Sequence, residues 1–253
     1  MKRDKLPFIV DMHSHVLYGL DDGPKTIEES FQLIEQAQKQ GIGFIVATPH
    51  LNHYQFDNNL EKMQQTYKLL QQKIKEKQLE ITLILSHEIF LTIDFYHKYK
   101  VNDLFPIQIE NDGNKLLVEL PSYEIPYYFE EFILQTNQKG LSCIWAHPEL
   151  NAEIQKNWKI VYDYLEFEDV EIQLTAGSLL GNYGRKVKKI SWKMLKAGLV
   201  DYIASDAHDV TKRPFELKEA YELIDKKMGK DVVYQLQTKS AEIATVFLER
   251  GSK

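Results

Sequence analysis

Seven short apolar runs recur along the chain, and each leads into His, Asp or Glu or into a small polar residue. The runs cover residues 8–10, 44–47, 81–85, 116–118, 143–146, 170–174 and 202–204. Short apolar runs that end in polar residues are typical of strands buried in a parallel sheet. The sequence therefore predicts seven strands with polar tips.

Amphipathic segments separate these runs. Residues 26–29 have the capping-box pattern, and Phe31, Ile34 and Ala37 follow on one helical face before Gly41. Further helices are predicted at 59–77, 126–139, 153–167, 186–197, 214–228 and 240–250. Strands that alternate with helices indicate a parallel sheet with crossover connections. With seven strands in sequence, we expect a closed α/β barrel rather than an open sheet.

The organisation of the chain favours one domain over residues 1–253. No linker rich in Pro, Gly or Ser interrupts it, there is no internal repeat, and the segment 111–114 is predicted to be a turn. A chain of 253 residues can bury a large core without disulfides, and a single cysteine excludes a disulfide within the chain.

The charge balance narrows the class of partner. Lys and Arg total 31 against 37 Asp and Glu, a net charge of -6, which argues against a nucleic-acid partner. The segment 1–7 is charged and no apolar run approaches the ~20 residues of a membrane helix, so we expect a cytoplasmic protein without membrane insertion. An anionic substrate stays possible because bound cations would reverse the local potential.

Two pairs of residues have the spacing of metal ligands. His13 and His15 lie two apart at the end of a strand, where both rings point to one side, and Asp206 and His208 repeat this spacing at the last strand. Two partly buried polar histidines would give the same pattern for either pair alone. Because the first and last strands of a barrel become neighbours, we predict that the two pairs meet.

Single candidates follow other strands. His50, Glu88, Glu119 and His147 each occupy a strand end, and we expect Glu119 to be a carboxylate that bridges two ions. Asp22 lies in an Asp-Asp-Gly-Pro turn whose acids could simply cap a helix or could supply one more oxygen ligand. We interpret three other histidines as ordinary core or loop residues: His53, His87 and His97. Nitrogen and oxygen donors without thiolate suit Mn, Fe or Zn in a hydrolytic cluster.

Other catalytic motifs are missing. Cys143 has no Arg at phosphate-loop spacing, so a cysteine-nucleophile phosphatase is excluded, and we expect this thiol to be buried in a strand. Neither a dinucleotide nor a P-loop glycine motif occurs. The segment 123–129 contains three tyrosines and Phe129, which could line a pocket for a tyrosyl ring or pack as ordinary core and loop residues.

Six motifs together resemble those of the PHP (polymerase and histidinol phosphatase) superfamily. They are Asp11-Met12-His13-Ser14-His15, Asp21-Asp22-Gly23-Pro24, Ala47-Thr48-Pro49-His50, Val118-Glu119, Ala146-His147-Pro148-Glu149 and Ala204-Ser205-Asp206-Ala207-His208. Within this superfamily, the chain is similar to the bacterial metal-dependent protein tyrosine phosphatases of the CpsB/YwqE type. The resemblance spans from about Ile9 to the helix after Arg213, and the region 182–185 favours this branch over the histidinol phosphatases.

The resemblance implies a distorted (β/α)7 TIM-like barrel that holds three divalent metal ions, usually Mn²⁺. The implied ligands are His13, His15, Asp22, His50, Glu88, Glu119, His147, Asp206 and His208. It also implies a phosphotyrosine protein as substrate, typically a bacterial tyrosine kinase of capsule or exopolysaccharide export. Arg213 corresponds to a phosphate-contacting Arg, but Leu150 stands where the family usually has a second one.

The sequence therefore predicts hydrolysis of a phosphate monoester, with phosphotyrosine as the first candidate. Arg213 would bind the phosphate, and Asp206 or His208 could orient the nucleophile as well as ligate. Two alternatives remain open. One is a phosphatase for a small metabolite such as histidinol phosphate or a sugar phosphate, and the other, motivated by Leu150, is a weakly active barrel that serves as a binding module.

Overall fold

Ten strands form the sheet in the computed structural model, which describes residues 8–110, 112–167 and 169–251. They are β1 (Ile9–Ser14), β2 (Ile42–Ala47), β3 (His50–Leu51), β4 (Thr82–Leu85), β5 (Glu88–Phe90), β6 (Ile107–Ile109), β7 (Gly113–Glu119), β8 (Leu141–Ala146), β9 (Val170–Thr175) and β10 (Tyr202–Ala204). The charged segment 1–7 and Asn111 of the predicted turn lie outside the described residues.

The strands pair into a ring with seven positions. β1, β2 and β4 pair in parallel, as do β3, β5, β7, β8, β9 and β10 in that order. β3 continues the position of β2, and β5 continues that of β4, because β3 pairs with β5 as β2 pairs with β4. The ring closes where the His15 amide donates to the Ala207 carbonyl at 2.8 Å and the Asp206 amide donates to the His13 carbonyl at 2.9 Å. This confirms the distorted (β/α)7 barrel.

Two apolar clusters hold the barrel together. The inner cluster consists of side chains from the strands, including Met12, Phe44 and Leu117, together with Ile243 and Ala244 of the last helix. The outer, larger cluster lies between the strands and the surrounding helices. Burying each large aliphatic side chain contributes roughly 1.5–3 kcal/mol, so the two layers supply most of the stabilisation of the ring.

Ten α-helices surround the ring or close its ends within the described ranges. They are α1 (Ile27–Lys39), α2 (Leu60–Glu76), α3 (Phe95–Lys98), α4 (Phe129–Gln138), α5 (Ala152–Lys156), α6 (Val161–Leu165), α7 (Ala176–Leu180), α8 (Gly184–Lys196), α9 (Leu217–Met228) and α10 (Lys230–Gly251). Thr26 caps α1 by accepting from the Glu29 amide at 3.2 Å, as the sequence pattern predicts.

Two helix predictions were wrong in detail. The helix predicted at 153–167 is divided into α5, a 3₁₀ turn (Trp158–Ile160) and α6. Asn157 leaves the helical conformation and its side chain accepts from the Lys159 amide, which offers the backbone an alternative to the helix. The helix predicted at 240–250 begins at Lys230, directly after Gly229 with a φ of 93°.

The parallel arrangement determines where the polar tips lie. All seven ring positions run the same way, so their C-terminal ends open at one mouth of the barrel, where TIM-like barrels build their active sites. At the mouth, Asp11 accepts from the Ser205 amide at 3.0 Å and also from its hydroxyl, which ties the first strand to the last. Among the described residues, no helix combines the length and apolar character needed to span a membrane.

Candidate active site

The two pairs at the first and last strands meet at the mouth. The Nε2 atoms of His13 and His15 lie 3.3 Å apart, and Asp206 Oδ1 lies 3.6 Å from each of them. All three side chains are buried. Both imidazole rings point to one centre, so the two histidines are not unrelated polar residues.

Glu88 occupies that centre. Its Oε2 atom lies 3.4 Å from His13 Nε2, 3.2 Å from His15 Nε2 and 3.0 Å from His50 Nδ1. Its other oxygen lies 2.8 Å from His147 Nε2. Glu119, which the sequence suggests as the bridging carboxylate, contacts the cluster at its edge, with Oε2 3.6 Å from His50 Nδ1. Glu88 is thus the carboxylate with contacts to most of the imidazoles.

Asp22 and His208 complete the mouth on the side of the last strand. His208 Nε2 lies 3.1 Å from Asp22 Oδ1, and His50 Nε2 lies 3.7 Å from the same oxygen. Asp22 is half-exposed, whereas His208 is buried. The structure therefore brings together all nine side chains that the sequence suggests as ligands, from seven separate segments of the chain.

The donor atoms form three groups that could each hold a cation. His15, Asp22, His50 and His208 form the first, His13, His15 and Glu88 the second, and His50, Glu88 and Glu119 the third. Within each group the ligand atoms lie within 4.8 Å of one another. Four atoms of these groups, and Asp206 Oδ1 beside them, are buried without a hydrogen bond of acceptable geometry: His50 Nδ1, Glu88 Oε2, Glu119 Oε2 and His208 Nε2 are the four. Buried polar atoms without partners are costly, and divalent cations would satisfy all five.

The carboxylates of the cluster raise the pKa of two of its imidazoles. Burial alone would lower the pKa of His147, but the hydrogen bond to Glu88 and the charges of Glu88, Asp206 and Glu119 together raise this pKa to about 10. Burial likewise opposes a proton on His15, yet Asp21 and Glu88 raise its pKa well above the usual range. Since metal ligation requires neutral imidazoles, a cation would replace these protons. The residues present fit a divalent metal centre.

A second layer of hydrogen bonds orients the imidazoles. Asp21 Oδ2 lies 2.8 Å from His15 Nδ1, Gln173 Oε1 lies 2.9 Å from His13 Nδ1, and the Asp206 carbonyl lies 2.8 Å from His208 Nδ1. Each oxygen can only accept, so each Nδ1 donates and Nε2 is left free to ligate. Sequence reasoning missed Asp21 and Gln173 in this role. The signal for Gln173 is a polar residue inside the apolar run 170–174.

Two site residues have left-handed backbone conformations. His147 has a φ of 33° and directly follows β8. Asp206 has a φ of 54° and lies two residues after the end of β10. Non-glycine residues in this region cost about 1–3 kcal/mol each and cluster at functional sites. The turn directs both side chains to the centre instead of along the strand.

A pocket of about 310 Å³ opens beside the cluster. Its polar wall includes Glu119, His147, Asp206 and Arg213, and its aromatic side chains are His53, Tyr54, Phe56 and Trp145. The rings of His50 and His53 stack at 4.7 Å, and Tyr54 stacks on His53 at 4.5 Å. His53, which the sequence indicates to be a loop residue, lies in the loop after β3 and in none of the donor groups, but it lines the pocket. The volume lies at the lower end of the range for small-molecule sites.

Arg213 is the only arginine or lysine that lines this pocket within the described ranges. Its guanidinium lies 2.7 Å from Asp206 Oδ2 and 3.1 Å from Asp22 Oδ2. Leu150 and Asn151 also line the pocket, and the Asn151 side chain caps α5 by accepting from the Glu153 and Ile154 amides. Two lysines that could have replaced the absent arginine, Lys156 and Lys212, are exposed and do not line the pocket.

The aromatic lining suggested at 123–129 was wrong. Tyr123 and Tyr127 are 85% and 82% exposed and do not line the pocket, and Phe129 is buried against Trp145 at a ring distance of 5.2 Å. Phe129 begins α4, and its position on the inner face of that helix directs the ring into the outer core. Two other interpretations hold: Cys143 is buried in β8, and the buried His87 accepts from the Phe105 amide.

A seven-position parallel barrel with imidazole and carboxylate side chains at its mouth defines a TIM-barrel-like hydrolase with a candidate metal centre. The family model for capsular polysaccharide synthesis, CpsB/CapC, matches residues 9–244. The chain belongs to this family. It is 38% identical over 213 residues to a putative tyrosine-protein phosphatase CapC of Staphylococcus aureus, covering 84% of this chain and 82% of that protein.

Other comparisons agree. The chain is 30% identical over 235 residues to the tyrosine-protein phosphatase YwqE of Bacillus subtilis, covering 93% of this chain and 91% of that protein. A crystal structure from work on YwqE and Streptococcus pneumoniae CpsB, described as metal-dependent tyrosine phosphatases, superimposes with a TM-score of 0.84 at 28% identity, covering 93% and 94% of the two chains. A histidinol phosphate phosphatase of Lactococcus lactis shares the fold, with a TM-score of 0.58 at 17% identity, covering 87% of this chain and 94% of that one.

Proposed function

We propose that this chain is a metal-dependent protein-tyrosine phosphatase, which hydrolyses the phosphate monoester of phosphotyrosine in a protein. The observation that carries the proposal is the set of buried donor atoms without partners that face one another beside Arg213. Membership of the capsular polysaccharide synthesis family and the names of the relatives support it.

The nine clustered side chains are the proposed metal ligands. The three groups of donor atoms support three divalent ions, for which we propose Mn²⁺, with Fe or Zn as alternatives that the same donors accept. The ligands are His13, His15, Asp22, His50, Glu88, Glu119, His147, Asp206 and His208. When bound, the ions would supply Lewis acidity that activates water and offsets charge on the phosphate.

The protein's own residues position the substrate. Arg213 would bind phosphoryl oxygens through its guanidinium, which Asp206 and Asp22 hold at the pocket. Asp206 and His208 would orient the attacking water in addition to ligating. Asp21 and Gln173 hold the rings of His15 and His13 by hydrogen bonds at Nδ1, so that the Nε2 atom of each ring is directed to the centre.

The substrate's aromatic ring would lie against Tyr54 and Phe56, because this wall stands next to Arg213 in the same pocket. The family's link to capsular polysaccharide supports a tyrosine-phosphorylated protein of polysaccharide export, such as a bacterial tyrosine kinase, as the partner.

Hydrolysis of a phosphotyrosine peptide tests the proposal. With Mn²⁺ we expect turnover that a chelator stops, at a kcat/KM at least ten times that on histidinol phosphate or a sugar phosphate. Alkylation with iodoacetamide should leave activity unchanged, because burial raises the pKa of the Cys143 thiol and removes it from reagents. Absence of turnover with Mn²⁺, Fe²⁺ and Zn²⁺ would refute the proposal, and faster turnover of the small esters would reassign the substrate.

The aromatic wall gives a second prediction. Tyr54→Ala should raise KM for a phosphotyrosine peptide about tenfold, because a lost aromatic pair costs about 0.5–1.5 kcal/mol beyond the area it buries. Activity on glycerol phosphate, which has no ring, should not change. Tyr123→Ala is the matched control, since Tyr123 is similarly exposed but does not line the pocket. An equal effect of both variants would contradict the assigned wall.

A further inference from the structure

One face of α8 is cationic although the chain as a whole carries a net charge of -6. The six residues that form this face are spaced i, i+3, i+4, i+7, i+8 and i+11, as on one side of a helix. We call this face the α8 stripe; it consists of Arg185, Lys188, Lys189, Trp192, Lys193 and Lys196. The opposite face, which includes Val187 and Leu195, is buried against the barrel. The cations therefore project away from the core along one line.

The cations of the stripe lack acidic partners. Within the described ranges, none of them forms an ion pair, and Lys188 instead donates to the Leu180 carbonyl at 2.6 Å. Lys227 of α9 adds a further charge, with its Nζ atom 4.0 Å from the centre of the Trp192 ring. Together these residues line a groove of about 440 Å³ between the two helices. Such a concentration of unpaired positive charge attracts an anionic ligand.

The stripe starts at the mouth of the barrel. α8 follows β9 and α7, so as a crossover helix it runs from the mouth to the opposite end. Tyr183, directly before α8, lies close enough to Arg213 of the pocket for the two side chains to interact electrostatically. From Arg185 to Lys196 the helix rises about 17 Å at 1.5 Å per residue, which is the length of about five residues of extended chain. The start of the stripe thus lies at the same end of the barrel as the pocket.

We propose that the α8 stripe binds an acidic segment of about five residues in the phosphoprotein substrate, next to the phosphotyrosine that enters the pocket. The inference rests on the proposed function, because that function identifies the residue in the pocket as phosphotyrosine. A membrane surface fits less well, because Trp192 is buried and its indole donates to the Leu179 carbonyl at 3.0 Å, so the stripe offers no exposed aromatic anchor.

Binding of two labelled peptides to the full chain tests the inference without requiring catalysis. Each peptide contains one unphosphorylated tyrosine beside five consecutive residues, either all Glu or all Gln. By fluorescence anisotropy at about 0.1 M salt, we expect the Glu peptide to bind at least tenfold tighter. In about 1 M salt, where the screening length falls to about 3 Å, the difference should disappear.

Two triple variants separate the stripe from the overall charge. Arg185→Glu/Lys189→Glu/Lys193→Glu should remove the preference for the Glu peptide. It should also raise KM at least tenfold for a phosphotyrosine peptide with the Glu run, with activity on p-nitrophenyl phosphate unchanged. The control Lys62→Glu/Lys68→Glu/Lys75→Glu places the same charge change on exposed positions of α2 and should keep the preference.

Equal binding of both peptides by the wild type, or equal loss in both triple variants, would overturn the inference. A stripe variant that loses binding to vesicles of anionic lipid while keeping the peptide preference would overturn it too and would assign the stripe to a membrane. A protein that shows the peptide preference but no phosphatase activity would refute the proposed function and leave the stripe as a binding surface.

Discussion

Glu88→Gln should reduce hydrolysis of a phosphotyrosine peptide by about 10³-fold and lower the number of metal ions bound per chain. Glu88 Oε2 lies within 3.4 Å of donor nitrogens on His13, His15 and His50, and Glu88 belongs to two of the three donor groups. An amide of the same shape removes the negative charge that offsets a divalent cation. Losing a cation's stabilisation of transition-state charge costs several kcal/mol, and each 1.36 kcal/mol is tenfold in rate.

Metal analysis and steady-state kinetics on the same preparation provide the measurement. Glu171→Gln is a suitable control, because Glu171 is also a largely buried glutamate with two lysine partners, Lys115 and Lys239, but lies at the opposite end of the barrel. It should lower stability without changing the metal content. A Glu88→Gln protein with the wild-type metal count and a rate within tenfold would show that the centre does not depend on this carboxylate.

Leu150→Arg should increase kcat/KM on a phosphotyrosine peptide by about 10- to 100-fold. Leu150 lines the pocket near Arg213, where a second guanidinium would reach the phosphoryl oxygens. A preorganised donor to developing charge is worth about 10²–10³ in rate, and incomplete alignment of an introduced side chain reduces this gain. Asp22 and Asp206 already hold Arg213, so the new arginine adds charge without displacing the old one.

Two companion variants make the Leu150 result specific. Leu150→Lys should gain less, because an ammonium cannot form the bidentate contact of a guanidinium. Leu150→Met should behave as the wild type, since it keeps an apolar side chain of similar volume. No change in the arginine variant would favour a barrel whose task is binding rather than hydrolysis, which is the reading that Leu150 motivates from the sequence.

The ligand set could be predicted from the sequence because the ends of the strands can be recognised in it. Six of the seven apolar runs lead to a candidate side chain, and parallel strands in a closed ring must present these ends at one mouth. The alternation of a strand places His13 and His15 on one side without further information. The central role of Glu88 was not predictable in this way, because it depends on which tips lie opposite one another across the ring.

The second layer and the pocket walls required the tertiary structure. Gln173 meets His13 from a position 160 residues away, and Asp21 is buried below His15 although its motif also suits a turn or a helix cap. The tyrosines near residue 125 satisfy the composition expected of a ring-binding wall. Because α4 begins at Phe129, Tyr123 and Tyr127 lie before the helix and are exposed. The aromatic wall of the pocket is formed instead by Tyr54 and Phe56 in the loop after β3.

By itself, the sequence determined the seven-position barrel, the mouth at which chemistry occurs and the nine polar side chains that gather there. Hydrophobic periodicity and strand direction are local properties, and they suffice for these features except Asp22, whose turn motif suits a helix cap as well as a ligand. Only the tertiary structure decided which carboxylate is central, which residues hold the imidazoles and which aromatic rings line the pocket. These features depend on distances between side chains far apart in the chain, which no local pattern encodes.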